Sequence, residues 1–187
     1  MSEKDVIIQS INKSIPCISL IGMPGAGKTT IGKRLANRLR WPYIDSDHVI
    51  EACYGHRLQD VVDATDKQGF IELEARIVQS LRIRRCVLGT GGSVVYSDEA
   101  MTYLSACGCI VYLDVPLETL ADRIAANPDR GIACAPGQTL ADLYAERVAL
   151  YHKWAEICCP NNNVSPDDCV SWICDHLPER IGNYLSL

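Results

Sequence analysis

The turn GMPGAGKTT, Gly22 to Thr30, restricts the possible folds of this chain more than any other stretch. The apolar run IPCISLI (15–21) leads straight into it. Beyond it Ile31, Leu35 and Leu39 repeat every four residues, which marks one face of a helix. Gly22, Gly27, Lys28 and Thr29 satisfy G-x-x-x-x-G-K-[ST] between a strand and a helix. Glycines let the backbone curl so that several N–H groups meet one anion, and the helix N-terminus adds partial positive charge. Lys28 is expected at the β- and γ-phosphates and the Thr29 hydroxyl on Mg²⁺. The expected ATP-contacting set is Gly25, Ala26, Gly27, Lys28, Thr29 and Thr30. The motif specifies a nucleotide but no reaction, since switches, motors and kinases share it.

Other strand patterns follow: WPYI (41–44), VLGT (87–90) and CIVYLDV (109–115). Helical patterns fall between and after them, with Leu117, Leu120 and Ile124 on one face and Leu143, Leu150 and Trp154 on another. Ser165-Pro166-Asp167-Asp168 reads as a helix start, with Ser165 as N-cap and Asp168 closing a capping box. Strands alternating with helices imply parallel pairing and a three-layer α/β sandwich. At 187 residues the chain suits one domain, expected over 15–187, after an N-terminal extension at 1–14. A Pro/Gly-rich break at 127–138, NPDRGIACAPGQ, reads as a mobile loop.

The net charge of −5 argues against nucleic acid as a partner. No apolar stretch has the length of a membrane span, and the opening MSEKDVIIQSINKS lacks a signal peptide's apolar run, so a cytoplasmic protein without a membrane partner is expected. Ten cysteines without a secretory segment or CxxC pairs read as small buried hydrophobes rather than a disulfide framework.

Asp45-Ser46-Asp47 follows the second strand, on the side where α/β sheets collect ligands. One carboxylate can hold Mg²⁺ and the other can accept a hydrogen bond from an attacking hydroxyl. Equally, Ser46 or Asp47 can cap the next helix. GTGGS (89–93) offers backbone N–H groups or is a plain turn. Arg147 lies on an apolar stripe, where a cation needs an anion or a structural carboxylate. Arg130, in the Pro/Gly loop, either closes over phosphates or stays in solvent.

Taken in order, the cradle, DSDHVIEACYG, GFIELE, GTGGS, VYLDVPLETLADR, DRGIA and ERVALY resemble the shikimate kinases over about residues 15–160. The resemblance implies a P-loop kinase fold with a five-stranded parallel sheet, a lid and a substrate-binding subdomain. It implies γ-phosphoryl transfer from ATP, with Mg²⁺, to a small hydroxylated carboxylate, and a monomer or weak dimer. By position, Asp45 becomes the Mg²⁺-water ligand and Asp47 the group that orients the accepting hydroxyl. Gly91 and Gly92 contact substrate, Arg123 lies by the adenine, Arg130 is the lid arginine and Arg147 grips the substrate carboxylate.

The chain departs from the family at three places. Ile71 stands where the family has arginine, Ser93 stands at the family's third glycine, and RGIA replaces RPLL in the lid. Losing one charge-assisted contact costs roughly 1.5–3 kcal/mol, about one to two powers of ten in binding. The acceptor pocket, including Ile71 and Ser93, is therefore expected to be rebuilt around intact transfer machinery. Shikimate is the expected acceptor. Homoserine is the alternative, with Glu72 or Glu74 as counter-charge to its ammonium. A nucleoside monophosphate kinase and a non-catalytic nucleotide-binding regulator are the rival classes.

Overall fold

The computed structural model describes residues 16–126 and 137–184. The expected N-terminal extension, Arg130 and most of the 127–138 loop lie outside these residues.

Cys17–Ile21 (β1) is buried along its whole length, as a strand covered on both faces must be. It leads through the glycine turn into Lys28–Leu39 (α1), whose Ile31, Leu35 and Leu39 face the core as the four-residue repeat predicts. Tyr43–Asp45 (β2) runs into Ser46–Tyr54 (α2), followed by Leu58–Asp63 (α3) and Lys67–Ser80 (α4). Val87–Gly89 (β3), a short 3₁₀ turn at Val94–Tyr96 and Asp98–Cys107 (α5) lead to Gly108–Asp114 (β4). Leu117–Ala125 (α6), Leu140–Trp154 (α7), Ile157–Pro160 (β5), Pro166–His176 (α8) and Glu179–Gly182 (α9) complete the described chain.

The sheet is five-stranded and parallel, in the order β2-β3-β1-β4-β5. The three-layer α/β expectation holds. Pairing aligns Asp45 with Gly89 and Gly89 with Leu20, so the carboxyl ends of β2, β3 and β1 finish level. The strand order reverses about β1, and the crevice beyond such a switch point is where open α/β sheets take ligands. Beyond the carboxyl end of β2, α2, α3 and α4 pack round a small core of Ile50, Val61 and Leu73, apart from the main core.

The Ser165 cap forms as expected, its hydroxyl accepting from the Asp168 N–H at 3.1 Å. The Asp168 carboxylate takes the Ser165 hydroxyl at 2.7 Å. β5 was not legible in the sequence, because it is only four residues, two of them cysteine, and ends in proline.

Candidate active site

The cradle bends through Gly22, Gly25 and Gly27 at φ of 146°, 82° and 90°, values that L side chains rarely adopt. Ala26 is buried beneath it. The Lys28 ammonium donates to the Gly22 and Met23 carbonyls at 2.6 and 3.0 Å, which holds it against the turn. From the far edge of the sheet, buried Asn161 donates to the Ala26 carbonyl at 2.9 Å. Arg123 donates in turn to Asn161 Oδ1 and O at 3.3 and 3.4 Å. Asn161 was missed by sequence reasoning; it follows the unrecognised β5, with no motif to mark it.

Asp45 caps α2, its Oδ1 accepting from the Asp47 N–H at 3.2 Å. Neither Ser46 nor Asp47 takes that role. The Thr29 hydroxyl donates to Asp45 Oδ2 at 3.2 Å. A hydroxyl beside a carboxylate is a hard oxygen set, the kind magnesium prefers. Buried Ser46 accepts from the Gly91 N–H at 3.0 Å and ties the start of α2 to the glycine turn after β3.

Asp47 stands between the two halves of the site. Burial, and then the neighbouring Asp45 charge, raises its carboxyl above the usual carboxylate range, while Lys28 opposes the rise. Glu74 on α4 is fully buried behind the glycine turn. The Ser93 hydroxyl donates to Glu74 Oε2 at 2.6 Å, and Oε1 has no partner among the described residues. Burial pushes the Glu74 carboxyl up to about 7 against the Ser93 hydrogen bond, and the Asp47 charge adds to the rise. A Cβ at Gly91 would overlap Glu74 Oε1 and come within 3.0 Å of Asp47 Oδ1. Only glycine fits between those carboxylates.

Arg147 is 4% exposed, inward-facing as its stripe implied. Its Nε donates to the Tyr96 hydroxyl at 3.1 Å, and the guanidinium lies 5.2 Å from that ring's centroid. Among the described residues no carboxylate forms an ion pair with it. Tyr151, one turn on, donates to the Gly92 carbonyl at 2.8 Å and so joins α7 to the turn.

A cavity of about 250 Å³ runs across these groups. Gly25, Gly27, Lys28, Thr29 and Asp45 line one end; Asp47, Gly91, Gly92, Ser93 and Arg147 line the other, with Phe70. Ala26, Thr30 and Arg123 do not line this cavity. Ile71 does not line this cavity either. It faces a separate one of about 410 Å³ with Gln68, Arg76 and Tyr96, because each residue of α4 turns by about 100° and Phe70 takes the inward position.

The profile of the shikimate kinase family matches residues 24–178. The chain belongs to the shikimate kinase family. As a member it is a small-molecule phosphotransferase. The shikimate kinase of Haemophilus influenzae (strain PittEE) is 38% identical over 169 residues, 88% of this chain and 94% of that protein. The shikimate kinase of Psychrobacter arcticus is 32% identical over 168 residues, covering 88% and 90%. Among solved structures, shikimate kinase from Acinetobacter baumannii in complex with shikimate superposes with a TM-score of 0.78 at 30% identity, covering 88% of this chain and 93% of that one.

Proposed function

We propose that this protein transfers the γ-phosphoryl group of ATP to a hydroxyl of shikimate. One observation carries the reading: a single cavity is lined at one end by a phosphate cradle and at the other by a carboxylate and a guanidinium. Phosphoryl transfer asks for positioning and charge neutralisation rather than covalent work.

The cradle amides and Lys28 hold the triphosphate. Thr29 and Asp45 would hold the magnesium ion, which when bound neutralises phosphate charge. Asp47 takes the hydrogen bond of the attacking hydroxyl, and its raised proton affinity suits it to accept that proton. Gly91 and Gly92 let the acceptor lie close to the backbone. Arg147, with Tyr96 bracing it, meets the acceptor carboxylate bidentately. Homologues named shikimate kinase and a fold match to one holding shikimate support this acceptor over homoserine.

ADP release by the purified protein, followed with shikimate, homoserine, gluconate and nucleoside monophosphates in turn, tests the assignment. Shikimate is expected to give the highest kcat/KM. Absence of shikimate-dependent ADP release, or a higher kcat/KM with homoserine, would overturn it.

A further inference from the structure

Asp45 is held by donors from three places, and of these only Thr29 belongs to the phosphate motif. Tyr43 precedes Asp45 by two residues on β2, so the two side chains leave the strand on the same face. The Tyr43 hydroxyl donates to Asp45 Oδ2 at 2.9 Å, the same oxygen that accepts from Thr29. The tyrosine ring occupies a slot with glycine walls. A Cβ at Gly32, on α1, would overlap ring carbon Cε2, and a Cβ at Gly89, at the end of β3, would overlap the hydroxyl itself. The slot sets where the hydroxyl lies.

Resting on the phosphoryl-transfer reading, we infer that Tyr43 is a positioning residue for the magnesium side of the site, fixing the Asp45 carboxylate beside Thr29. The arrangement leaves Thr29 free to act twice. A hydroxyl has one proton and two lone pairs, so Thr29 can donate to Asp45 and still offer oxygen to a cation. Asp45, gripped at both oxygens, cannot swing about its broad, roughly two-fold χ2 torsion. Groups that orient a metal's ligands from behind typically set metal affinity by about 10- to 100-fold.

Tyr43→Phe tests this cleanly, because the ring still fills the slot and only the hydroxyl is lost. The probe is Mn²⁺, titrated by electron paramagnetic resonance into protein saturated with a non-hydrolysable ATP analogue. The expected result is a Kd for Mn²⁺ raised about 10- to 100-fold, with metal-free nucleotide affinity and the KM for shikimate within about twofold of wild type. Gly89→Ala supplies a second arm by displacing the hydroxyl while keeping the tyrosine. It should weaken Mn²⁺ binding in the Tyr43 protein and add much less in the Tyr43→Phe background, where the nearest ring carbon lies 3.1 Å from the new Cβ. Unchanged Mn²⁺ affinity in Tyr43→Phe, or additive losses in the double variant, would overturn the inference. Wild-type ADP release is measured alongside. A wild type that binds Mn²⁺ with the analogue yet transfers nothing to shikimate counts against the acceptor, whereas the metal titration still reads Tyr43.

Discussion

Glu74→Gln is expected to make the protein more stable above neutral pH, and the reason lies in a buried carboxyl. In the folded protein this group is pushed from the ordinary 4.5 up to about 7, chiefly by burial. A folded-state pKa above the unfolded one means that the native state binds the extra proton, so stability falls as pH rises through that window. Each unit is worth 1.36 kcal/mol, so the full penalty is of the order of 3 kcal/mol. Because the unfolded chain is already partly ionised at pH 5, the part lost between pH 5 and 8 is about 2–3 kcal/mol. Glutamine never ionises, and its carbonyl can still accept from Ser93. Urea unfolding of both proteins at pH 5, 6, 7 and 8 reads the difference directly, and other titrating groups cancel in the subtraction. With m near 2 kcal/mol/M, the gap between the two midpoints should change by about 1 M across that range. Midpoints that run parallel from pH 5 to 8 would show that Glu74 titrates normally and that the space behind the glycine turn is wetter than described.

Three further outcomes concern the reaction. Asp47→Asn should lower kcat by about 10²- to 10⁴-fold while leaving ATP affinity, read by calorimetry, within about twofold. In the wild type, kcat/KM should fall with decreasing pH at a midpoint above the usual aspartate value of about 3.9, because burial and Asp45 raise the Asp47 carboxyl. Arg147→Lys keeps the charge but loses the fork braced by Tyr96, and should raise the KM for shikimate about 10- to 100-fold with little change in the KM for ATP in steady-state assays.

The sequence is most informative where function is local. Lys28 and Thr29 are legible because the cradle's chemistry is confined to a few consecutive residues, and Arg147 because a cation on an apolar stripe contradicts its surroundings. Features built from distant segments are not legible. Asn161 reaches Ala26 across 135 residues, and no short pattern records such a contact. Tyr43 looks like a generic strand aromatic until Gly32 and Gly89 are seen on either side of it. Asp45 takes the capping role expected of Ser46 or Asp47 because α2 starts one residue earlier than the sequence suggests. Ile71 shows the remaining difficulty. A family motif gives a residue's position along α4, while the helix rotation that decides which cavity it faces depends on the packing of Leu73 and Val78.

The bond from Asn161 to the cradle also bears on how the protein is made. On the ribosome, residues 22–27 emerge early, but their buttress is translated 135 positions after Ala26. At about 5–20 residues per second, the nascent cradle waits about 7–27 seconds for it. β1 waits too, since its neighbours β3 and β4 are both synthesised later. Competence to grip a nucleotide should therefore arrive near the end of translation, and a stalled chain released before Asn161 would have a cradle without its brace.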